Sequence, residues 1–368
     1  MKSLVVTTFT KPTFGFGHQP RASSCIFGAI RWDAQYCDTE GEPCFEEEKA
    51  LGDHKWQFRA PLHTRVLGYD KIRFEPSQKS FNLEIIAAEK AGLKYWAYAS
   101  YGKGGALDLN SSMMRGLAYH RSSSIRDKMK YALIIAVDLL GKTSNSSLAI
   151  KPIVQLMKDP NYLMVEHGRP VLFFNYIESL LSGYWNGSAH NLAAAIGALR
   201  EAAVDAGIGN PYIVLLSGAN ENLRLALGMD AISIYAITPP SNTNGTYQDL
   251  ATRVHTYWER EVEVTKGGMI PTVMVGWDTR PRKEHPPAYD HADRSKLDPN
   301  AHIIPPTPSE FAAECEKASE FISAHPEQCS SRLALIYAWN EDSEGGPLEP
   351  TLGNHSASLL AAAQNVIK

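Results

Sequence analysis

Leu333-Ala334-Leu335-Ile336-Tyr337-Ala338-Trp339-Asn340-Glu341-Asp342-Ser343-Glu344-Gly345-Gly346 changes character partway along its length. The first six residues carry no charge and do not alternate. They read as a strand buried on both faces, because a strand with one wet face alternates apolar and polar positions. The chain then opens into Glu341, Asp342, Glu344 and, shortly after, Glu349. Carboxylates crowded at the C-terminal end of a buried strand repel one another, so at least one is expected to hold its proton above the ordinary range.

Working outward, the same kind of apolar run recurs upstream at 26–31, 93–98, 131–137, 171–174, 212–216, 231–235 and 270–275. Between the runs lie segments with helical character at 82–91, 147–157, 189–206, 247–263, 308–323 and 356–367, with shorter ones at 113–119 and 220–227. Asn82 ahead of Leu-Glu-Ile-Ile, and Thr307-Pro308-Ser309-Glu310 with proline in the first turn, read as helix starts. Eight strands alternating with about eight helices predict an α/β fold, a single (β/α)8 TIM-type barrel with long βα loops. A doubly wound open sheet is the main competitor, but no Gly-x-Gly-x-x-Gly follows the first strand. Two long connections, 33–78 and 278–306, leave from strand C-termini, where barrel sites sit. The first is long enough for a small subdomain.

Composition narrows the function classes. Of 368 residues, 44% are hydrophobic and 21% charged, with a net charge of −4 and no basic cluster. Nucleic-acid and membrane-surface partners are therefore not expected, nor is a membrane span, since no apolar run reaches the length needed. Residues 1–25 read as an N-terminal extension without an intact signal peptide, ahead of a catalytic barrel over 26–368. Cys25, Cys37, Cys44, Cys315 and Cys329 form no zinc-type spacing. Cys37 with Cys44, or Cys315 with Cys329, could close a short disulfide loop in an exported protein; free thiols are the plainer reading. Export, periplasmic or secreted, is favoured over the cytoplasm.

Two glutamates at a strand mouth suit acid–base work on a glycosidic bond, one carboxyl protonating the leaving oxygen while the other stays ionised. A solvated acidic turn is the ordinary alternative. Here the sequence resembles a known group. Ala338-Trp339-Asn340-Glu341, Glu344-Gly345 and Leu348-Glu349-Pro350 resemble the NAWNEW-x-EG-x-x-LEP signature of glycoside hydrolase family 99-like proteins, which include the WbsX-type proteins. Gly276-Trp277-Asp278 through Pro281-Arg282, Asp159-Pro160-Asn161-Tyr162 with Gly168-Arg169-Pro170-Val171-Leu172-Phe173, and Ala91-Gly92 with Tyr95-Trp96 resemble three further segments of the group, in the same order. Asp342 departs from the tryptophan usual after the first glutamate.

The resemblance implies catalytic roles for Glu341 and Glu344. Glu341 would take the proton of the sugar 2-hydroxyl as it attacks the anomeric carbon. Glu344 would protonate the leaving oxygen and then activate the water that opens the 1,2-anhydro sugar. The implied activity is retaining hydrolysis of an α-linked glycan, manno-configured or acidic, with no cofactor and no metal. A transferase or transglycosylase in surface-polysaccharide synthesis, and a non-catalytic glycan-binding barrel, are the rival readings.

Other strand-end residues are candidates for the oligo- or polysaccharide partner. Trp32, Asp33 and Tyr36 follow the first strand, and Trp96, Tyr98 and Tyr101 surround the second; aromatics at a barrel mouth stack on sugars or simply pack. Asn220 and Glu221 suit sugar hydroxyls or a helix N-terminus. Tyr235, Trp277, Asp278, Arg280 and Asn340 complete the candidates, with an Asp278–Arg280 ion pair as the structural option. Arg280 and Arg282 could hold an acidic group on the glycan. His285 and His291, near Asp290 and Asp293, lack the spacing of a metal site.

Overall fold

The computed structural model describes residues 25–38, 42–142, 146–218, 220–240, 242–289 and 298–367. The extension expected at the N-terminus, apart from Cys25, lies outside the described residues, as do Asp290, His291 and Asp293.

Barrel strands β1 (Ile26–Arg31), β2 (Tyr95–Ser100), β3 (Lys130–Ala136), β4 (Arg169–Asn175), β5 (Tyr212–Leu215) and β6 (Ala231–Ile232) pair in parallel with their sequence neighbours. The seventh position, β7, is split into Gly268–Met269 and Thr272–Met274, and β8 is Leu333–Tyr337. Its first half pairs with β6 and its second half with β8, which in turn pairs with β1, so the ring closes. Pro271 has no N–H to give, yet the ladder crosses it. Ile270 N–H donates to Ile232 at 3.0 Å, and Leu335 N–H donates to the Pro271 carbonyl at 3.0 Å. The expected (β/α)8 barrel is the observed fold.

Every second side chain of a barrel strand points into the barrel and the others point to the helices. On β1, Gly28 faces inward because the Tyr95 ring occupies the space where a β-carbon would sit; that ring crosses over to donate its hydroxyl to the Ala334 carbonyl at 2.9 Å. Phe27, Ala29 and Arg31 alternate with it. Arg31 is wholly buried against helix Gln78–Lys90, paired with Asp33 and Glu84 at 2.6 Å each and lying over the Phe81 and Trp96 rings.

The helices follow the expected positions with small shifts. Asn82 does not start its helix. Ser77 caps it one turn earlier, in a reciprocal box with Ser80, and Asn82 instead accepts from Gln78 and Ser123. Thr307 and Glu310 form the box the sequence suggested, with Pro308 in the first turn. Among the described residues no helix is long and apolar enough to cross a membrane.

The long first connection folds into a unit of its own. Cys37 and Cys44 are joined by a disulfide at the start of helix Pro43–Gly52, and strands Thr64–Gly68 and Lys71–Phe74 form a hairpin. Leu51, Trp56, Ala60, Ile72 and Phe74 pack with Cys44 into a small separate core. Cys25, Cys315 and Cys329 are free thiols.

Candidate active site

Strand β8 ends at Tyr337, and the chain runs through Trp339 and Asn340 into a single 3-10 turn, Asp342–Glu344, with Glu341 at its N-terminus. Gly345 then takes a left-handed conformation, φ 74°, that only glycine adopts without cost, and a β-carbon there would come within 2.8 Å of the Asp278 backbone. Asp278 N–H donates to the Glu344 carbonyl at 2.6 Å, fastening the turn to the end of β7. Glu341 and Glu344 therefore project from a short, braced segment into one space.

That space is a cavity of about 600 Å³ at the C-terminal mouth of the barrel. Trp32, Tyr101, Tyr176, Tyr235, Trp277, Tyr289 and Tyr337 form an aromatic wall around the two glutamates. The Arg282 guanidinium lies between the acids. Nη1 pairs with Glu344, and Nη2 lies 3.3 Å from Glu341 Oε2 and 3.0 Å from Glu47 Oε1. Its Nε donates to Ser343 Oγ at 2.6 Å, and Ser343 donates to Glu47 at 2.8 Å. Tyr235 donates to Glu341 Oε1 at 2.8 Å, and Tyr337 donates to Glu344 Oε2.

Electrostatics separate the groups. Burial, then the Glu344 charge, push the Glu341 carboxyl well above its ordinary range, against the pull of Arg282 and the Tyr235 hydroxyl. Burial alone would lower Arg282, but Glu344, Glu47 and Glu341 outweigh it and hold the guanidinium charged. The carboxyl with a raised pKa expected from the acidic cluster is thus present at Glu341.

The sequence candidates divide by strand face. Trp32, Tyr101, Tyr235 and Trp277 line the cavity with Glu341 and Glu344; Trp32 also donates its indole N–H to the Tyr101 hydroxyl at 2.5 Å. Trp96 and Tyr98 point outward instead. Trp96 packs on Phe81 and Trp339, and Tyr98 bonds His120 at 2.9 Å. Asp33 and Tyr36 are buried on Arg31. Asn340 is buried too, accepting the Trp32 N–H at 2.7 Å, so it orients a wall residue without lining the cavity. Asn220 caps a helix, and Glu221 binds Arg224 and the Lys266 N–H; the Arg224 hydrogen bond above all pulls its carboxyl down to about 2. Asp278 is held by Arg280 and Arg59, which braces the loop, and Arg280 lies over Trp56. Those seven side chains, with Trp96 and Tyr98, do not line this cavity. Arg282, considered as an anion ligand, already faces three carboxylates of the protein. Glu47, Tyr176, Tyr289 and Tyr337 were not singled out in the sequence. Tyr337 was legible as the last inward position of its strand, whereas nothing local marks Glu47, which lies 294 residues before Glu341 in the chain.

For metals, Cys37, Cys44 and Glu48 bring donor atoms within 4.8 Å of one another, but the two sulfurs are bonded to each other.

Fold and cavity define a TIM-type barrel protein with an acidic, aromatic-walled site at the mouth of its strands. Residues 127–362 match the family described as Glycosyltransferase WbsX, and this chain belongs to that family. Among solved structures, a glycoside hydrolase-like protein aligns at 14% identity and a TM-score of 0.57, covering 96% of this chain and 97% of that one. The glycoside hydrolase family 99 endo-α-mannosidase from Bacteroides thetaiotaomicron aligns at 13% identity and the same TM-score, covering 92% and 95%; its complex with bis-tris-propane aligns at 15%. At these identities the likeness is one of fold. No curated protein matches.

Proposed function

We propose that this chain is a retaining glycoside hydrolase, built as one catalytic barrel over 26–368, that cleaves an α-linked, manno-configured glycan with Glu341 and Glu344. The observation that carries the reading is the placement of both glutamates in one aromatic-walled cavity, bridged by a single guanidinium. A sugar 2-hydroxyl donating to Glu341 favours the ionised carboxyl, since a hydrogen bond to a carboxylate stabilises its charge. Glu341 then accepts that proton as the 2-oxygen closes on the anomeric carbon, and Glu344 protonates the departing oxygen. Water activated by Glu344 opens the 1,2-anhydro sugar. Three carboxylates around one arginine leave an excess of negative charge, which favours a neutral glycan over the acidic one also considered.

The route is tested with an aryl α-mannobioside and its 2-deoxy counterpart, the deoxygenation placed on the sugar that bears the aryl group. Release from the first only, with the α-anomer formed first by proton NMR, is expected; equal release from both would sink the anhydro route.

The family description favours a second reading, transfer of the sugar to an alcohol. An added acceptor sugar incorporated in place of water would identify that case. Export of the protein is part of the proposal, supported by the Cys37–Cys44 disulfide, since such bonds persist in oxidising compartments.

A further inference from the structure

Asp342 lies between the two glutamates in sequence but faces the other way. It is buried, and its Oδ2 accepts from Gln35 Nε2 at 2.9 Å. The same Nε2 atom donates to Glu349 Oε1, and Glu349 is buried as well. Two carboxyl groups therefore converge on one neutral amide donor. Among the described residues no arginine or lysine hydrogen-bonds either acid, and Asp342 Oδ1 has no hydrogen-bond partner there. Two adjacent carboxylates without a cation between them cannot both ionise in a buried site.

The contact closes the loop that carries the catalytic pair. Gly346 N–H returns to the Glu341 carbonyl at 3.2 Å, while Leu348 and Glu349 N–H return to Trp339 at 2.9 and 2.8 Å. Asp342 and Glu349 thus join the two limbs of this loop, and Gln35 ties both to the end of β1. We propose that Asp342 and Glu349 share one proton as a carboxyl–carboxylate pair, and that this pair positions the turn presenting Glu341 and Glu344.

The surrounding charges agree. Asp342 is influenced by Glu47 from helix Pro43–Gly52 and by Glu84 from helix Gln78–Lys90, and its own charge acts on Arg59. Arg282, from helix Arg280–Glu284, is engaged with Glu47, Ser343 and the two catalytic glutamates. Glu349 is influenced by Asp342 and Glu84, with Arg31 opposing them. Burial pushes Asp342 up to about 7, and burial followed by the Asp342 charge lifts Glu349 well above its ordinary range.

The positioning role rests on the hydrolase reading; the shared proton does not. Removing the proton at higher pH sets two like charges against each other across the loop. A folded carboxyl with a raised pKa gives stability at low pH that is lost as pH climbs from the ordinary carboxylate range through its folded pKa. Asp342→Asn keeps the hydrogen bonds and cannot ionise. Melting curves of the full chain at pH 5 and pH 8 should show the variant gaining on the wild type by roughly 3 °C or more at the higher pH. Parallel curves at the two values overturn the shared proton. If Asp342→Asn fails to fold, Glu349→Gln carries the same comparison. On α-mannan, the alkaline limb of kcat/KM should move to higher pH in the variant, and an unmoved limb overturns the positioning role. Absence of turnover in the wild type counts against the hydrolase reading, and the melting comparison then decides the pair alone.

Discussion

At the scale of single residues, Arg282 and Tyr235 decide how the pair of glutamates behaves. Arg282 sits among Glu47, Glu341 and Glu344, so Arg282→Ala leaves buried carboxylates unpaired. Loss of one partner from a buried ion cluster costs about 3–5 kcal/mol, and denaturant unfolding should register a drop of that order together with loss of turnover. Tyr235 stabilises the ionised form of Glu341 through its 2.8 Å hydrogen bond. Tyr235→Phe should raise the Glu341 pKa further, so the acid limb of the kcat/KM profile moves to higher pH, with a loss of roughly 10-fold or more at neutrality. An acid limb that stays in place would detach Tyr235 from the chemistry.

Elements explain both what the sequence disclosed and what it withheld. The strands were legible because a strand buried on both faces is apolar throughout, and the same property hid which face each aromatic occupies. Trp32 and Tyr101 end inside the mouth, whereas Trp96 and Tyr98 turn to the helices, although all four are aromatic residues on or just beyond the first two barrel strands. Counting alternate positions from Gly28 and Tyr95 separates them, but it needs the register between strands. Glu341 and Glu344 were legible because their turn follows the strand directly. Glu47 was not, since it arrives from helix Pro43–Gly52 in the first long connection. The Cys37–Cys44 disulfide at the start of that helix closes a short loop, so Cys37→Ser should lower stability by about 2 kcal/mol. Limited proteolysis should then cut first within residues 37–74; unchanged cleavage would mean the small core holds the unit unaided.

For the molecule as a whole, barrel closure and pH response are the properties to test. Closure depends on β7 serving two neighbours with its two halves, which the sequence presented as one run at 270–275 although Pro271 falls inside it. Gly28→Ala would drive a methyl group into the Tyr95 ring inside the barrel. Overpacking of this kind costs about 1–3 kcal/mol, readable as a lower denaturation midpoint with an unchanged slope. Away from the site, burial pushes Glu261 on helix Tyr247–Val264 up to about 7. Because that shift is upward, its contribution is full at low pH and fades as pH rises from about 4.5 through 7, on the order of 3 kcal/mol in all. Glu261→Gln should flatten the fall in stability over that range, measured by urea unfolding at several pH values.

Hydrolysis by Glu341 and Glu344 is tested most directly by following reducing-end release from a panel of α-mannans, α-rhamnans and acidic glycans. Wild type, Glu341→Gln and Glu344→Gln would be compared side by side. The expected result is release from a neutral α-mannan by the wild type, a loss of about 100-fold or more in each variant, and little release from the acidic glycans. Equal release by the wild type and the variants would contradict the assignment of this pair.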